Sequence, residues 1–201
     1  MDVEKLLVKI FARGYTLSFG DYVLASGVKS SYYINFSYLA NRPDYLSAIS
    51  ESLANLIRKK IGLNSFDKIV GVSNKGALFL PLLSISLDKP FSYFDKYDMK
   101  IVLGHINTDD VIVFVDDILN TGFTAERLYM HIKNRYGANM RYMVVILDRE
   151  EGGVTRMKKY NVKVYSLIKM SKLSKILFEY GALSEEEYNI IIESIKKRGI
   201  K

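Results

Sequence analysis

The stretch Val111-Ile112-Val113-Phe114-Val115-Asp116-Asp117-Ile118-Leu119-Asn120-Thr121-Gly122-Phe123-Thr124 decides the fold. Its first five residues are apolar and β-branched or aromatic, which predicts a short strand over 111–115 buried on both faces. The strand runs straight into Asp116 and Asp117. Two adjacent carboxylates at the end of a buried strand are costly unless they are solvated, paired or given a ligand. The Asn120-to-Thr124 loop then opens a predicted helix over 124–136, which Gly137 ends. A Thr/Gly loop at a helix N-terminus offers backbone N–H groups, hydroxyls and the positive end of the helix dipole, and so cradles phosphate. It is neither GxxxxGKS/T nor GxGxxG. Two carboxylates about a sugar's length from a phosphate nest suit a ribose 5-phosphate, because carboxylates accept hydrogen bonds from vicinal hydroxyls.

Outward from this stretch the chain alternates. Strands are predicted over 68–72, 91–94, 142–147 and 162–167, with helices over 76–87 and 154–160 and two short helices at the C-terminus. Further amphipathic helices are predicted over 2–12 and 44–60. Apolar strands alternating with helices make an α/β fold, a parallel sheet flanked by helices on both faces. The segment 15–40 breaks the pattern. Gly20-Asp21 and Ser26-Gly27 are turn signals, and Tyr22-Val23-Leu24 and Tyr32-Tyr33-Ile34 are strand-like, so a small N-terminal lobe over the sheet is expected. Ligands of open parallel sheets bind beyond the carboxyl ends of the strands.

Composition narrows the chemistry. The 201 residues include 29 Lys plus Arg against 22 Asp plus Glu, a net charge of +7, with no cysteine and two histidines. Disulfide frameworks, thiol catalysis and Cys-ligated metals are excluded, and so is a multi-histidine metal site. No signal peptide is read at the N-terminus, and the longest uncharged apolar run, 76–87, is shorter than the about 18 residues of a membrane span, so a cytoplasmic protein without a membrane partner is expected. The positive charge suits a phosphorylated metabolite or nucleic acid. The Lys196-Lys197-Arg198 cluster reads as a solvated helix end, and no helix-turn-helix or stacking platform appears, so no nucleic-acid partner is expected. One domain over 1–201 is expected, with about 14–40 as a hood.

The 115–124 string closely resembles the 5-phosphoribosyl 1-pyrophosphate (PRPP) signature of the type I phosphoribosyltransferases. By that resemblance Asp116 and Asp117 hold the ribose hydroxyls, while Thr121, Gly122, the Phe123 backbone and Thr124 hold the 5′-phosphate, with Asn120 in the same PRPP-binding loop. Three further stretches are similar to orotate phosphoribosyltransferases. The run Phe19 to Tyr33 looks like their N-terminal signature, which implies an orotate pocket with Lys29, Tyr32, Tyr33 and the Asn120 amide. Gly71-Val72-Ser73-Asn74-Lys75-Gly76 stands in the place of their pyrophosphate loop, with Lys75 as a cation for PRPP. Leu147-Asp148-Arg149-Glu150-Glu151-Gly152-Gly153 resembles their Asp-Arg-x-x-Gly string, whose arginine (here Arg149) meets the orotate carboxylate. A guanidinium fork suits a planar carboxylate.

The resemblance covers roughly residues 5–180. It implies a type I phosphoribosyltransferase-like sheet with a hood, transfer of phosphoribose from PRPP to orotate in UMP biosynthesis, and a homodimer. It also implies Mg²⁺ held through PRPP and water, with Asp116 the one protein group placed to join it. Lys96, Lys100 and Asp117 would be catalytic, the lysines neutralising pyrophosphate.

The departures lie in 94–105. Asp95 stands where the family has an arginine, Met99 sits near the second lysine position with Lys100 one residue late, and the glycine-rich part of the family's mobile loop is missing. His105 lies too far along to match the loop histidine. Ala25 replaces a lysine and Asn120 a threonine. These changes bear on rate more than on binding, because the loop covers the site and stabilises the leaving group. Two alternatives therefore stay open: a weakened PRPP- or nucleotide-binding regulatory paralogue, and a phosphoribosyltransferase for another base.

Overall fold

The structure is a computed structural model that describes residues 3–12, 14, 16–24, 27–73 and 76–199. Helix α1 (Val3–Phe11) buries Leu6, Leu7, Ile10 and Phe11, the face its apolar spacing marks out. Strands β1 (Leu17–Val23) and β2 (Lys29–Ile34) form an antiparallel hairpin. A 3-10 turn (Phe36–Asn41) is capped by Asn35, whose Oδ1 accepts the Ser37 N–H at 2.9 Å. It leads into α2 (Pro43–Lys60), which begins on a proline, where a missing N–H costs nothing. There follow β3 (Lys68–Val72), α3 (Leu80–Leu87), β4 (Phe91–Phe94), β5 (Ile101–Leu103), β6 (Val111–Leu119), α4 (Phe123–Tyr136), β7 (Asn139–Asp148), α5 (Gly153–Lys158), β8 (Lys163–Lys169), α6 (Met170–Glu179) and α7 (Glu185–Gly199).

The main sheet has the order β5-β4-β3-β6-β7-β8. Every neighbouring pair is parallel except β4 and β5. Alternate residues of β6 enter opposite cores. Val113 and Val115 pack with α1, α2, α3 and α6, while Ile112 and Phe114 pack with Leu128 and Ile132 of α4 and Met157 of α5. The continuous apolar run is therefore a strand with helices on both faces, as its composition predicts.

Three expectations are corrected, and an antiparallel edge strand joins the expected parallel sheet. The segment expected to be a loop carries β5, whose Leu103 and Ile101 pair with Tyr93 and Phe94. The reversal is made by a tight turn. Asp95 Oδ1 accepts the N–H groups of Tyr97 and Asp98 at 2.7 and 3.2 Å, and Met99 adopts a left-handed φ of 58°. The strand expected over 111–115 continues to Leu119, because β7 beside it is long enough to pair through Leu119↔Asp148. The helix expected over 76–87 is a 3-10 turn (Gly76–Phe79) before α3, whose first turn holds Pro81. Proline gives no N–H to an α-helical bond from the preceding turn. The last helix, expected to be short, runs 15 residues.

Candidate active site

The β1–β2 hairpin faces the carboxyl ends of β3 and β6 across a cavity of about 260 Å³. Val23, Leu24, Tyr33 and Ile34 form its upper wall. Val72 and Ser73, at the end of β3, and Asp116, Asp117, Ile118, Asn120 and Thr124 form its floor, and Lys96 closes one side. A second cavity, of about 60 Å³, shares Leu24, Asp116, Asn120 and Thr124 and is completed by Thr121, Gly122 and Phe123. This small space lies at the N-terminus of α4, where free N–H groups and the helix dipole favour an anion.

The loop geometry depends on glycine. Gly122 caps α4 at a left-handed φ of 77°, and its carbonyl accepts the Glu126 N–H at 2.9 Å. Gly76 serves differently. A Cβ there would lie 2.4 Å from Asp116 Oδ1 and 2.9 Å from its Cα, so the 3-10 turn that begins at Gly76 reaches the aspartate only as glycine.

Asp116 Oδ1 accepts the Asp117 N–H at 2.9 Å, and Asp117 Oδ1 accepts the Ile118 N–H at 3.0 Å. Burial, then the neighbouring Asp117 charge, pushes the Asp116 carboxyl well above the usual range, while Lys96 opposes the shift. Hydroxyl donors or a cation would relieve that cost. Asn120 Oδ1 is buried with no hydrogen-bond partner among the described residues. An orphaned acceptor costs about 1–3 kcal/mol, which a ligand N–H would recover. Two side-by-side carboxylates are hard oxygen donors of the kind Mg²⁺ takes, and among the described residues no group of three or more His, Cys, Asp or Glu forms a cage of its own. The donor set fits a metal held mainly by its ligand.

The structure brings Asp116, Asp117, Asn120, Thr121, Gly122, Phe123, Thr124, Tyr33 and Lys96 to the two cavities. Lys75 lies outside the described residues. Two expected partners, Lys100 and Lys29, are elsewhere, and His105 is likewise away from the cavities. Lys100 points to solvent, 81% exposed, and pairs with Asp98 at 3.0 Å. Lys29 is exposed at the start of β2 and lines neither cavity, its carbonyl accepting from Arg198. His105, exposed, lines neither cavity, and its carbonyl accepts from Lys68 and from Ser92 Oγ. Asp95 spends its carboxylate on its own turn rather than facing the cavity.

Tyr32 and Arg149 line neither cavity. Residues of β2 alternate between exposed and buried, so the aromatic pair cannot share a face. Tyr33 faces the cavity and stacks on Tyr22 with ring centroids 5.4 Å apart. Tyr32 is buried, its hydroxyl donating to Glu151 Oε1 at 3.2 Å and accepting from Arg149 Nε at 3.2 Å. Burial foremost raises its phenol pKa above the usual tyrosine value. Arg149 is 1% exposed, with Nη2 bonded to Glu151 at 2.8 Å and to Ser30 Oγ at 3.0 Å. The carboxylate that this guanidinium meets here is one from its own chain.

Sequence reasoning passed over Glu151, Ser194 and Arg198. Glu151 also accepts from Ser194 Oγ at 3.0 Å and Arg198 Nη1 at 2.9 Å, which ties α7 to the hairpin. Its place two residues after Arg149 was the available signal. Arg198 gave none, since a basic helix end reads as solvated.

A phosphate cradle and an acidic pair at the carboxyl edge of a parallel sheet, under a hairpin, define a class of phosphoribosyl-binding protein. The family model described as the phosphoribosyl transferase domain matches residues 37–176. The orotate phosphoribosyltransferase of Pyrococcus abyssi is 30% identical over 92% of this chain and 100% of its own length. The crystal structure of orotate phosphoribosyltransferase from Aeropyrum pernix superposes with a TM-score of 0.72 at 22% identity, covering 89% of this chain and 99% of that one. The Leishmania donovani UMP synthase superposes with a TM-score of 0.85 at 20% identity over 98% of this chain, which spans only 43% of that longer protein. The last two are likenesses of fold. The chain belongs to the phosphoribosyltransferase family, in its orotate phosphoribosyltransferase branch.

Proposed function

We propose that the protein transfers the phosphoribosyl group of PRPP to orotate, giving orotidine 5′-monophosphate and pyrophosphate in UMP biosynthesis. The observation that carries this reading is the shared cavity wall of Asp116, Asn120 and Thr124, which joins the acidic pair to the phosphate cradle. In the reaction the bond from C1′ to the pyrophosphate oxygen breaks and pyrophosphate leaves with the electron pair, while an orotate ring nitrogen forms the new bond to C1′ and releases its proton to the departing pyrophosphate or to water. Asp116 and Asp117 hold the ribose hydroxyls while positive charge grows on C1′. The 121–124 loop anchors the 5′-phosphate, Lys96 offsets the charge of the departing pyrophosphate, and the Asn120 amide and the Tyr33 ring contact the base. Little proton transfer is needed, so positioning and electrostatics supply most of the rate.

Mg²⁺ bound to PRPP, with Asp116 adjoining, would neutralise pyrophosphate charge. Residues 1–201 act as one domain with about 14–40 as its hood. The homodimer rests on the family resemblance, and the cytoplasmic location on the hydropathy reading of the sequence. No helix among the described residues is long and apolar enough to cross a membrane.

The test is the loss of orotate absorbance on mixing protein, orotate, PRPP and Mg²⁺, with Asp117→Asn as the control. PRPP-dependent loss that disappears in the variant supports transfer to orotate. PRPP binding without turnover would instead select a regulatory paralogue, a reading favoured by the way Asp95 and Asp98 tie down the 95–100 turn. Turnover with another base would select the third reading.

A further inference from the structure

Glu126 poses an electrostatic problem. It is the acid in the first turn of α4, the helix whose N-terminus forms the phosphate cradle. An acid at that position suits an empty helix, because it complements the dipole. With a phosphate at the same terminus it is a like charge within a helical turn and opposes binding.

The surroundings of Glu126 answer the problem. Its Oε2 accepts from Arg156 Nη1 at 2.6 Å, and its Oε1 accepts from the Tyr160 hydroxyl at 2.7 Å. Both partners lie on the far side of the loop, on α5 and just after it. The two bonds, Tyr160 first, hold the carboxyl below its usual range, so it is ionised at neutral pH, and Arg156 with the surrounding water offsets its charge. The same guanidinium performs a second task. Arg156 Nε donates to the Thr121 carbonyl at 2.7 Å. A loop that aims its N–H groups at an anion has to turn its carbonyls away, and here one of those carbonyls is held. The close approach is made by paired glycines. A Cβ on Gly153 would lie 2.4 Å from the Asn120 carbonyl oxygen, and one on Gly122 would lie 3.2 Å from Arg156 Cδ. Arg156 lines neither cavity.

We propose that Arg156 is a positioning residue for the phosphate cradle: one guanidinium fixes the Thr121 carbonyl and cancels the Glu126 charge, leaving the first turn of α4 able to accept a dianion. The proposal rests on the reading that this loop binds the 5′-phosphate of PRPP. A lysine has no planar fork with which to do both tasks at once.

The test is PRPP binding with Mg²⁺ by titration calorimetry, alongside steady-state kinetics, for wild type, Arg156→Met, Arg156→Met with Glu126→Gln, and Arg156→Lys, each checked by thermal melting. Arg156→Met is expected to weaken PRPP about tenfold or more, the scale of one charge-assisted bond, while the KM for orotate stays within about twofold. Adding Glu126→Gln is expected to recover most of that loss, because the stranded charge is gone, and the melting curves separate this from a loss of folded protein. Arg156→Lys is expected to fall between wild type and Arg156→Met. If Arg156→Met does not fold, Arg156→Lys decides, and PRPP binding equal to wild type overturns the proposal. So does Arg156→Met binding PRPP like wild type, or a double variant no tighter than the single one. Wild type that fails to bind PRPP overturns this proposal and the proposed function together, whereas wild-type turnover with unaffected variants overturns this proposal alone.

Discussion

Arg149 Nη2 stands 2.8 Å from Glu151 Oε1 in an ion pair whose side chains are 1% and 0% exposed. Tyr32, Ser194 and Arg198 also donate to this carboxylate, so one group joins the hairpin, the end of β7 and α7. Removing a single partner of a buried pair leaves the other charged and desolvated, at a cost of about 3–5 kcal/mol. Glu151→Ala is expected to lose stability on that scale in urea unfolding. Glu151→Gln, which keeps an acceptor, is expected to lose less. A Glu151→Ala protein as stable as wild type would show that the network does not hold α7 to the hairpin.

Asp116 gives the free protein a pH dependence of definite sign. Its folded pKa lies above the ordinary carboxylate value of 3.8, so between the two values the folded state holds more protons than the unfolded state. Stability then falls as pH rises through that window and stays lower above it. Asp116→Asn removes the burden and is expected to raise stability at pH 7 by on the order of 1 kcal/mol, or about 2–4 °C, while abolishing turnover. Melting temperatures measured from pH 4 to 8 check this. A variant that melts below wild type at pH 7 contradicts it.

Gly76→Ala is expected to damage both stability and turnover. The new methyl would overlap Asp116 Oδ1 and crowd its Cα, and a backbone atom cannot step aside as a flexible side chain can. Overpacking of this kind costs about 1–3 kcal/mol. A carboxylate displaced by as little as 1 Å costs about a hundredfold in rate. Unfolding curves and kcat/KM for PRPP read the two effects separately.

Lys96 and Lys100 are expected to separate in a mixing experiment. Lys96 lines the cavity of its own chain, whereas Lys100 points to solvent beside Asp98. In the proposed homodimer, Lys100 would meet the pyrophosphate of the other subunit. Lys96→Ala is expected to lower kcat/KM by about a hundredfold. Mixing Lys100→Ala with Asp117→Asn subunits is expected to restore about a quarter of the wild-type activity, the share given by random exchange in a two-fold dimer. If Lys100→Ala alone retains full activity, that residue has no role in either subunit.

The amino-acid sequence by itself determined the central strand-loop-helix unit. Val111 to Val115 can be buried on both faces only inside a covered sheet, and Gly122, between Thr121 and Thr124, opens a helix whose N-terminus favours an anion. Those are short-range facts of hydropathy, backbone freedom and dipole direction, legible in fourteen consecutive residues. The acidic pair was legible for the same reason. Which side chains face the cavity was decided by tertiary structure alone. Tyr32 and Tyr33 look equivalent in sequence, and the pleat of β2 sends one to Arg149 and the other to the ligand side. The sequence points Arg149 at a ligand carboxylate, and in the structure its guanidinium pairs with a carboxylate two residues on, Glu151, which α7 also holds. The charge balance between Glu126 and Arg156 joins positions thirty residues apart, and no local pattern encodes it. Such pairings depend on which elements the sheet order brings together, and that order is a property of the whole packed chain.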